Sequence, residues 1–352
     1  MQLASIKKEL GVASCALLQV PASSVYADDS GWDVDTAVLF YSESDGRVSA
    51  FEPGVYAGKD LGDGERIDLR LVIDVLTGAT PNGAHASSVA QTFTTPSGTG
   101  TYTAQPGETP LDDSFKDTRV AAGVDWTLPF NRLQRIRLGL NGSTEYDYTS
   151  LGVSATYLQD FNNRNTTMSA GLAFNNDTIS PVGGVPSLLK PMLTPGQTLR
   201  EGVDDTKTVT DFILGITQVL SRKTLMQLNY SLGMSDGYLT DPYKIVTVVD
   251  PVTGLPDNTA LLNVNPNALP YVYEKRPDSR QVNRLYFKIV QSLTRDVINF
   301  SYRYYWDDWG ITSNTFDLKY RYEIGRGYLQ PNVRYYLQDA ADFYVHNLVQ
   351  GT

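Results

Sequence analysis

The sequence predicts an all-β fold, a transmembrane antiparallel up-and-down β-barrel. Three observations predict it: a period of two that persists from Gly31 onward, alternating stretches too long for a globular sheet, and connections that are short and long by turns.

The period is clearest at residues 66–77. Ile67, Leu69, Leu71, Ile73 and Val75 fall on one face, with Asp68, Arg70 and Asp74 on the other, because successive side chains of a strand point to opposite sides. Residues 135–147 repeat the scheme, with Ile136, Leu138, Leu140 and Tyr146 opposed to Arg135, Arg137, Asn141, Ser143 and Glu145. Ile298, Phe300, Tyr302, Tyr304 and Trp306 oppose Asn299, Ser301 and Arg303. Phe316, Leu318, Tyr320, Tyr322 and Ile324 oppose Asp317, Lys319, Arg321 and Glu323. Such runs last about 10 to 13 residues, whereas globular strands run about 5 or 6 and a tilted membrane-crossing strand needs roughly 9 to 11. A soluble β-sandwich also alternates, but with shorter strands and without Arg and Lys so regularly opposite the apolar face. The pattern yields about 13 strands up to Gln338. Bacterial barrels close on even numbers, so the complete protein is expected to have about 14 to 16 and this chain to be C-terminally truncated.

The connections are an independent test. With the N-terminus on the periplasmic side, a first strand (31–44) rises to an outer turn at Asp45-Gly46, and a second (48–61) descends to Gly62-Asp63-Gly64. The connections at 129–133, 162–165, 221–223, 294–296 and 325–327 are all short and all periplasmic by parity, as a barrel requires. The long ones, about 78–117, 178–206 and 238–280, are all outer, as are the shorter 148–150 and 307–312.

Composition agrees. Tyr (22) and Gly (29) suit strands, tight turns and the lipid–water interface. The hydrophobic fraction of 41% and mean hydropathy of -0.25 leave no spanning helix beyond the N-terminus. A net charge of -10 argues against nucleic acid as a partner. Lys7 and Lys8, an apolar stretch at 10–20 and Val25-Tyr26-Ala27 read as a cleavable signal peptide, residues 1–27, leaving 28–352 as a single barrel domain. Val12-Ala13-Ser14-Cys15 resembles a lipid-attachment box, but the apolar stretch continues past the cysteine. With Cys15 in the signal the mature chain has no thiol, which excludes disulfides, thiolate metal sites, cysteine nucleophiles and covalently attached haem. No cofactor is expected.

The candidate lumen-lining residues are Asp68, Arg70, Asp74, Arg135, Arg137, Glu145, Arg284, Lys288, Arg303, Asp317, Lys319, Arg321, Glu323 and Arg334, with Asp147 beside them. Such a lining either sets a transverse field favouring anionic or zwitterionic solutes or pairs across strands in a hydrated interior. Outer carboxylates cluster at Asp112, Asp113 and Asp117, at Asp204 and Asp205, at Asp236 and Asp241, and at Asp307 and Asp308; they read as solvated acidic loops rather than a calcium site. Trp32, Trp126, Tyr146, Tyr148, Tyr157, Trp306 and Trp309 read as interfacial girdles. His85 and His346 could each act as a base, but no nucleophile lies at diagnostic spacing, so the chain is not expected to be an enzyme.

Several strings carry a resemblance: LTGATPNG (76–83), PGETPLDD (106–113), PVGGVP (181–186), the run 226–230 followed by SDGYLTDPYK (235–244), RPDSR (276–280) and RYYWDDWG (303–310). Together they resemble a Gram-negative family known only as a domain of unknown function, family 3570. The resemblance covers nearly the whole mature chain. It implies an outer-membrane barrel, in contact with outer-membrane lipid and lipopolysaccharide and often encoded beside a small lipoprotein, a thioredoxin-like protein and a flavin-transferring protein. It supplies neither an activity nor catalytic residues. The function expected is a porin-like channel or transporter for a small solute, narrowed by the loop 78–117. The alternative is a scaffold that anchors a lipoprotein or periplasmic redox partner.

Overall fold

The computed structural model describes residues 31–43, 48–94, 101–193, 199–325 and 327–351. The expected signal peptide and the Asp45-Gly46 turn lie outside the described residues. Strands β1 (Trp32–Ser42), β2 (Val48–Gly62) and β3 (Glu65–Pro81) form a meander. A hairpin of β4 (Gln91–Thr94) and β5 (Thr101–Ala104) precedes β6 (Leu111–Pro129), β7 (Gln134–Thr144), β8 (Tyr148–Phe161) and β9 (Thr166–Ile179). Short strands β10 (Val185–Pro186), β11 (Pro191–Leu193) and β12 (Arg200–Gly202) lead to β13 (Asp205–Ser221) and β14 (Thr224–Gly237). Then come β15 (Ile245–Val249), the one-turn helix α1 (Thr259–Leu262), β16 (Ala268–Tyr273), β17 (Ser279–Ser292), β18 (Val297–Asp307) and β19 (Thr312–Ile324). The chain finishes with β20 (Gly327–Leu329), β21 (Asn332–Gln338) and β22 (Asn347–Val349).

Among the described residues the long strands pair in chain order in one 14-stranded antiparallel sheet. Two of its members, β20 and β21, both pair with β19 on either side of Gln330-Pro331. Pro331 has no N–H to give to a ladder and interrupts what is one crossing. Counting them as one leaves the thirteen crossings that the alternation predicts, ending at Gln338 as expected. From β1 to β19 the long strands run 11 to 19 residues. At a rise of about 3.3 Å per residue even the shortest, tilted, spans the hydrocarbon of a thin bilayer. The turns at the short-loop end are tight. Asn162, Asn163 and Arg164 all adopt positive φ, between 50° and 66°, and Asn tolerates that region better than other residues with a side chain. Among the described residues no ladder joins β1 to β20 and β21, which stand at the two ends of the strand order.

One face of this sheet is apolar and bare. Leu69, Leu71, Leu140, Leu151, Val153, Leu172, Phe174, Leu214 and Leu318 are all exposed, a band too extensive to face water and suited to lipid. The other face is polar and concave. A cavity of about 440 Å³ touches Glu52 of β2 and Val209 of β13 together. Because β3, β6, β7, β8 and β9 lie between those two strands, the sheet curls around that space.

The buried apolar core is elsewhere, in a cap built at the long-loop end. The apolar runs Ile245–Val249 and Ala268–Tyr273 are buried almost throughout, the mark of strands covered on both faces. They join β11 and β22 in a four-stranded sheet ordered β11-β16-β15-β22. Phe93 and Tyr102 of the β4–β5 hairpin stack at 5.4 Å and pack with Ala84, Ala104, Ile245, Tyr273 and the fully buried Tyr271. After β21 the chain turns over the mouth, and β22 pairs in parallel with β15. The three long connections therefore fold together instead of waving separately in solvent. This corrects the expectation of solvated acidic loops at two clusters. Asp112 is fully buried, and the Asp307 carboxylate, also fully buried, is held by Arg280 at 2.6 Å.

Candidate functional site

Cross-strand partners share a face, so the pairing register places each sequence-derived candidate. Asp68, Arg70 and Asp74 of β3 lie opposite Asp125, Gly123 and Arg119 of β6, and Gly123 in turn opposes Asn141 of β7. Arg135, Arg137 and Glu145 follow on the same face at alternate positions. In the second half the same register links Arg284 and Lys288 of β17 to Tyr305 and Ser301 of β18. Arg303 opposes Thr315, Ser301 opposes Asp317, Asn299 opposes Lys319 and Val297 opposes Arg321. Arg334 faces Asp317. All fourteen candidates thus project from the concave side, and Glu323 and Arg321 follow Lys319 at alternate positions along β19.

Many of these charges pair. Arg135 meets Asp160 at 2.8 Å, Arg334 meets Asp317 at 2.7 Å, Arg321 meets Glu323 at 2.8 Å, and Arg66 meets Asp68 at 2.7 Å. Arg284 is looser, 3.7 Å from Asp211. Arg303 lies over the Tyr286 ring at 5.8 Å, and Arg137 reaches the Thr127 hydroxyl at 3.4 Å.

The densest arrangement is at the mouth. There a cavity of about 600 Å³ is roofed by the cap segment 238–244 and walled by Asp117, Glu145, Asp147, Tyr148 and Lys207. Val209 lines both this cavity and the 440 Å³ cavity below. Arg119 bridges Asp74 at 3.5 Å and Glu145 at 3.7 Å. Tyr148 donates to Asp177, and the Lys207 ammonium lies 3.7 Å from that carboxylate and 4.9 Å over the Tyr148 ring. Tyr243 of the cap donates to Asp147 and accepts from the Val182 N–H at 3.1 Å, which ties the roof to the β7–β8 turn. Burial pushes the Glu145 carboxyl up to about 7, with the Asp117 carboxylate adding and Arg119 opposing. Burial likewise raises Asp147 in spite of the hydrogen bond from Tyr243. Burial raises the Tyr243 hydroxyl too, so it remains a protonated donor at neutral pH.

Of this mouth, the sequence pattern identified Asp74, Glu145 and Asp147 but not Arg119, Asp177, Lys207 or Tyr243. Arg119 and Asp177 stand at alternate positions in their strands and were findable by period; Tyr243 reaches the site by tertiary folding of a loop. Two girdle assignments are corrected. Tyr148 points to the concave side, and Trp309 is buried under Arg280, whose guanidinium lies 4.3 Å from its ring. Trp306 does lie on the apolar face, stacked on Tyr304 at 5.2 Å; Trp126, on that face too, hydrogen-bonds Glu65 at 2.7 Å. His85 is in the cap, its backbone N–H on Thr247 at 2.8 Å, and His346 contacts Tyr344 at 3.3 Å. Among the described residues no group of three His, Cys, Asp or Glu is placed to hold a metal ion.

The family model described as a protein of unknown function (DUF3570) matches residues 7–352. No curated protein matches the sequence. Among solved structures the chain is similar to the open form of the ferric-catecholate import receptor Fiu from E. coli K12, at 13% identity and a TM-score of 0.43, over 88% of this chain and 56% of that one. It is similar to the FrpB iron transporter from Neisseria meningitidis at 10% identity and a TM-score of 0.43, over 87% and 57%. The NanC porin gives 8% and 0.31, over 73% and 84%. The chain spans little more than half the length of the first two receptors.

Proposed function

The chain belongs to the DUF3570 family, and on that footing we propose that it is a Gram-negative outer-membrane barrel that passes a small polar solute. The observation that supports this reading most is the pair of cavities, about 600 and 440 Å³, that share Val209 in their walls on the charged side of a sheet whose other side is apolar. A solute entering beneath the cap meets Glu145, Asp117 and Asp147, then Arg119 and Asp74, so acids and a guanidinium face it within one passage. Opposed charges across a hydrated path orient dipolar solutes and favour zwitterions over neutral molecules of equal size. Planar-bilayer recording of the reconstituted chain tests it. Discrete conductance steps are expected; a bilayer that stays silent at high protein load contradicts it.

One observation favours a second reading. The cap has its own core and is tied down by Tyr243 and by β22, so the mouth is roofed rather than open. A roofed barrel can serve as an anchor for an envelope lipoprotein or redox partner, and a silent bilayer is the result that reading expects.

A further inference from the structure

Four of the turns at the short-loop end share a pattern that solute passage does not use. An exposed apolar side chain ends the strand, and an exposed cation follows two or three residues later: Phe130 then Arg132, Phe161 then Arg164, Leu220 then Arg222 and Lys223, Leu293 then Arg295. Among the described residues none of these five cations is in an ion pair, whereas most cations of the concave face are paired. The acids nearby are largely engaged. Asp296 accepts from the Tyr320 hydroxyl at 2.6 Å and the Glu323 N–H at 3.1 Å, and Asp160 holds Arg135 at 2.8 Å. Asp63, in the first turn, is the remaining carboxylate of these turns. The Arg164 guanidinium donates to the Arg132 carbonyl at 2.6 Å, so adjacent turns are fastened together and one cation is fixed in place. Beside them Phe130, Pro129, Arg132 and Arg164 share a cavity of about 700 Å³ with Asp63 and with the concave-side pair Arg135 and Asp160, so that cavity opens toward the inside of the sheet.

We propose that this rim of exposed cations is a binding site for the phosphate of anionic phospholipids in the periplasmic leaflet. The inference rests on the membrane reading above, which puts this end at that leaflet. Height selects lipid over a soluble acidic protein. Phe130, Phe161, Leu220 and Leu293 are the exposed apolar side chains at these strand ends, so on the membrane reading the cations that follow them come at headgroup level, beside the acyl boundary. Guanidinium groups pair with phosphate oxygens through two parallel hydrogen bonds, and each basic residue near an anionic surface is expected to raise lipid association about five-fold.

The test uses the full chain reconstituted in phosphatidylcholine vesicles with spin-labelled phosphatidylglycerol or spin-labelled phosphatidylcholine. Electron paramagnetic resonance then reads the fraction of each lipid that the protein restricts. The wild-type chain is expected to prefer phosphatidylglycerol about five-fold, and added sodium chloride should weaken that preference. The variant R132Q/R164Q/R222Q/K223Q/R295Q should lose it. R132K/R164K, which keeps the charge, should retain most of it, and R132Q/R164Q alone should lose a measurable share if the larger variant fails to fold. Equal preference in the wild type and the fivefold variant, both inserted, overturns the proposal and leaves the membrane reading intact. Abolition by inorganic phosphate, beyond what sodium chloride does at the same ionic strength, reassigns the rim to free phosphate and also overturns it. Absence of any restricted lipid would remove the membrane reading and the proposal together.

Discussion

Single residues at the mouth set how the protein responds to pH. Glu145 is pushed up to about 7 from an ordinary 4.5 by burial and by Asp117. A carboxyl raised in the folded state binds its proton more tightly there than in the unfolded chain. Its contribution to stability is therefore fully present below about 4.5 and is lost as pH rises through about 7. Infrared titration of the carboxyl band should show a group with a midpoint near 7 that disappears in E145Q, and cation selectivity in a conducting bilayer should step up across the same range in the wild type only. At Arg280 the stakes are structural. It pairs at 2.6 Å with Asp307, whose side chain is fully buried, and removing one partner of a buried pair costs about 3–5 kcal/mol. R280A should lower the unfolding free energy read from a urea titration by that measure, and R280K by less. Residues like Asp74, Glu145 and Arg334 were readable in the sequence because strand alternation assigns a face without knowledge of neighbours. The burial of Asp307 was not, since it depends on Arg280, 27 positions away along the chain.

At the scale of elements, the long strands and their turns were readable and the cap was not. A period of two over membrane length marks a strand by itself, and the short turns at one end confirmed it; only Pro331 splits a strand that the pattern reads as whole. The cap strands give a different signal. Ile245–Val249 and Ala268–Tyr273 are short apolar runs without alternation, ambiguous until their partners from residues 91–104, 191–193 and 347–349 are known. The cap core is expected to behave as its own cooperative unit. Tyr271 is fully buried against Phe93, and truncating a buried aromatic costs about 3–5 kcal/mol. Limited proteolysis of Y271A should cut the segments 82–110 and 238–278 well before the wild type is cut, while the long strands stay protected; simultaneous loss of both would show that cap and sheet are one unit.

For the whole molecule, the arrangement inverts a soluble protein. Apolar side chains cover the outside of the sheet, charges cover its concave side, and the compact apolar core is confined to the cap. Lipid is the solvent in which that distribution is favourable, because every second residue then meets hydrocarbon while the backbone is satisfied in its ladders. The overall scheme was readable because it is written as a period; the roof over the mouth was not, because it arises from contacts between distant loops. The most direct measurement is electron paramagnetic resonance accessibility of a nitroxide placed in turn at positions 67 to 75 of β3, in a Cys15→Ser background reconstituted in vesicles. The account predicts that oxygen relaxes labels at Ile67, Leu69, Leu71, Ile73 and Val75 while a water-soluble nickel complex relaxes those at Asp68, Arg70, Val72 and Asp74. Nickel accessibility at both sets, or the opposite phase, would contradict it.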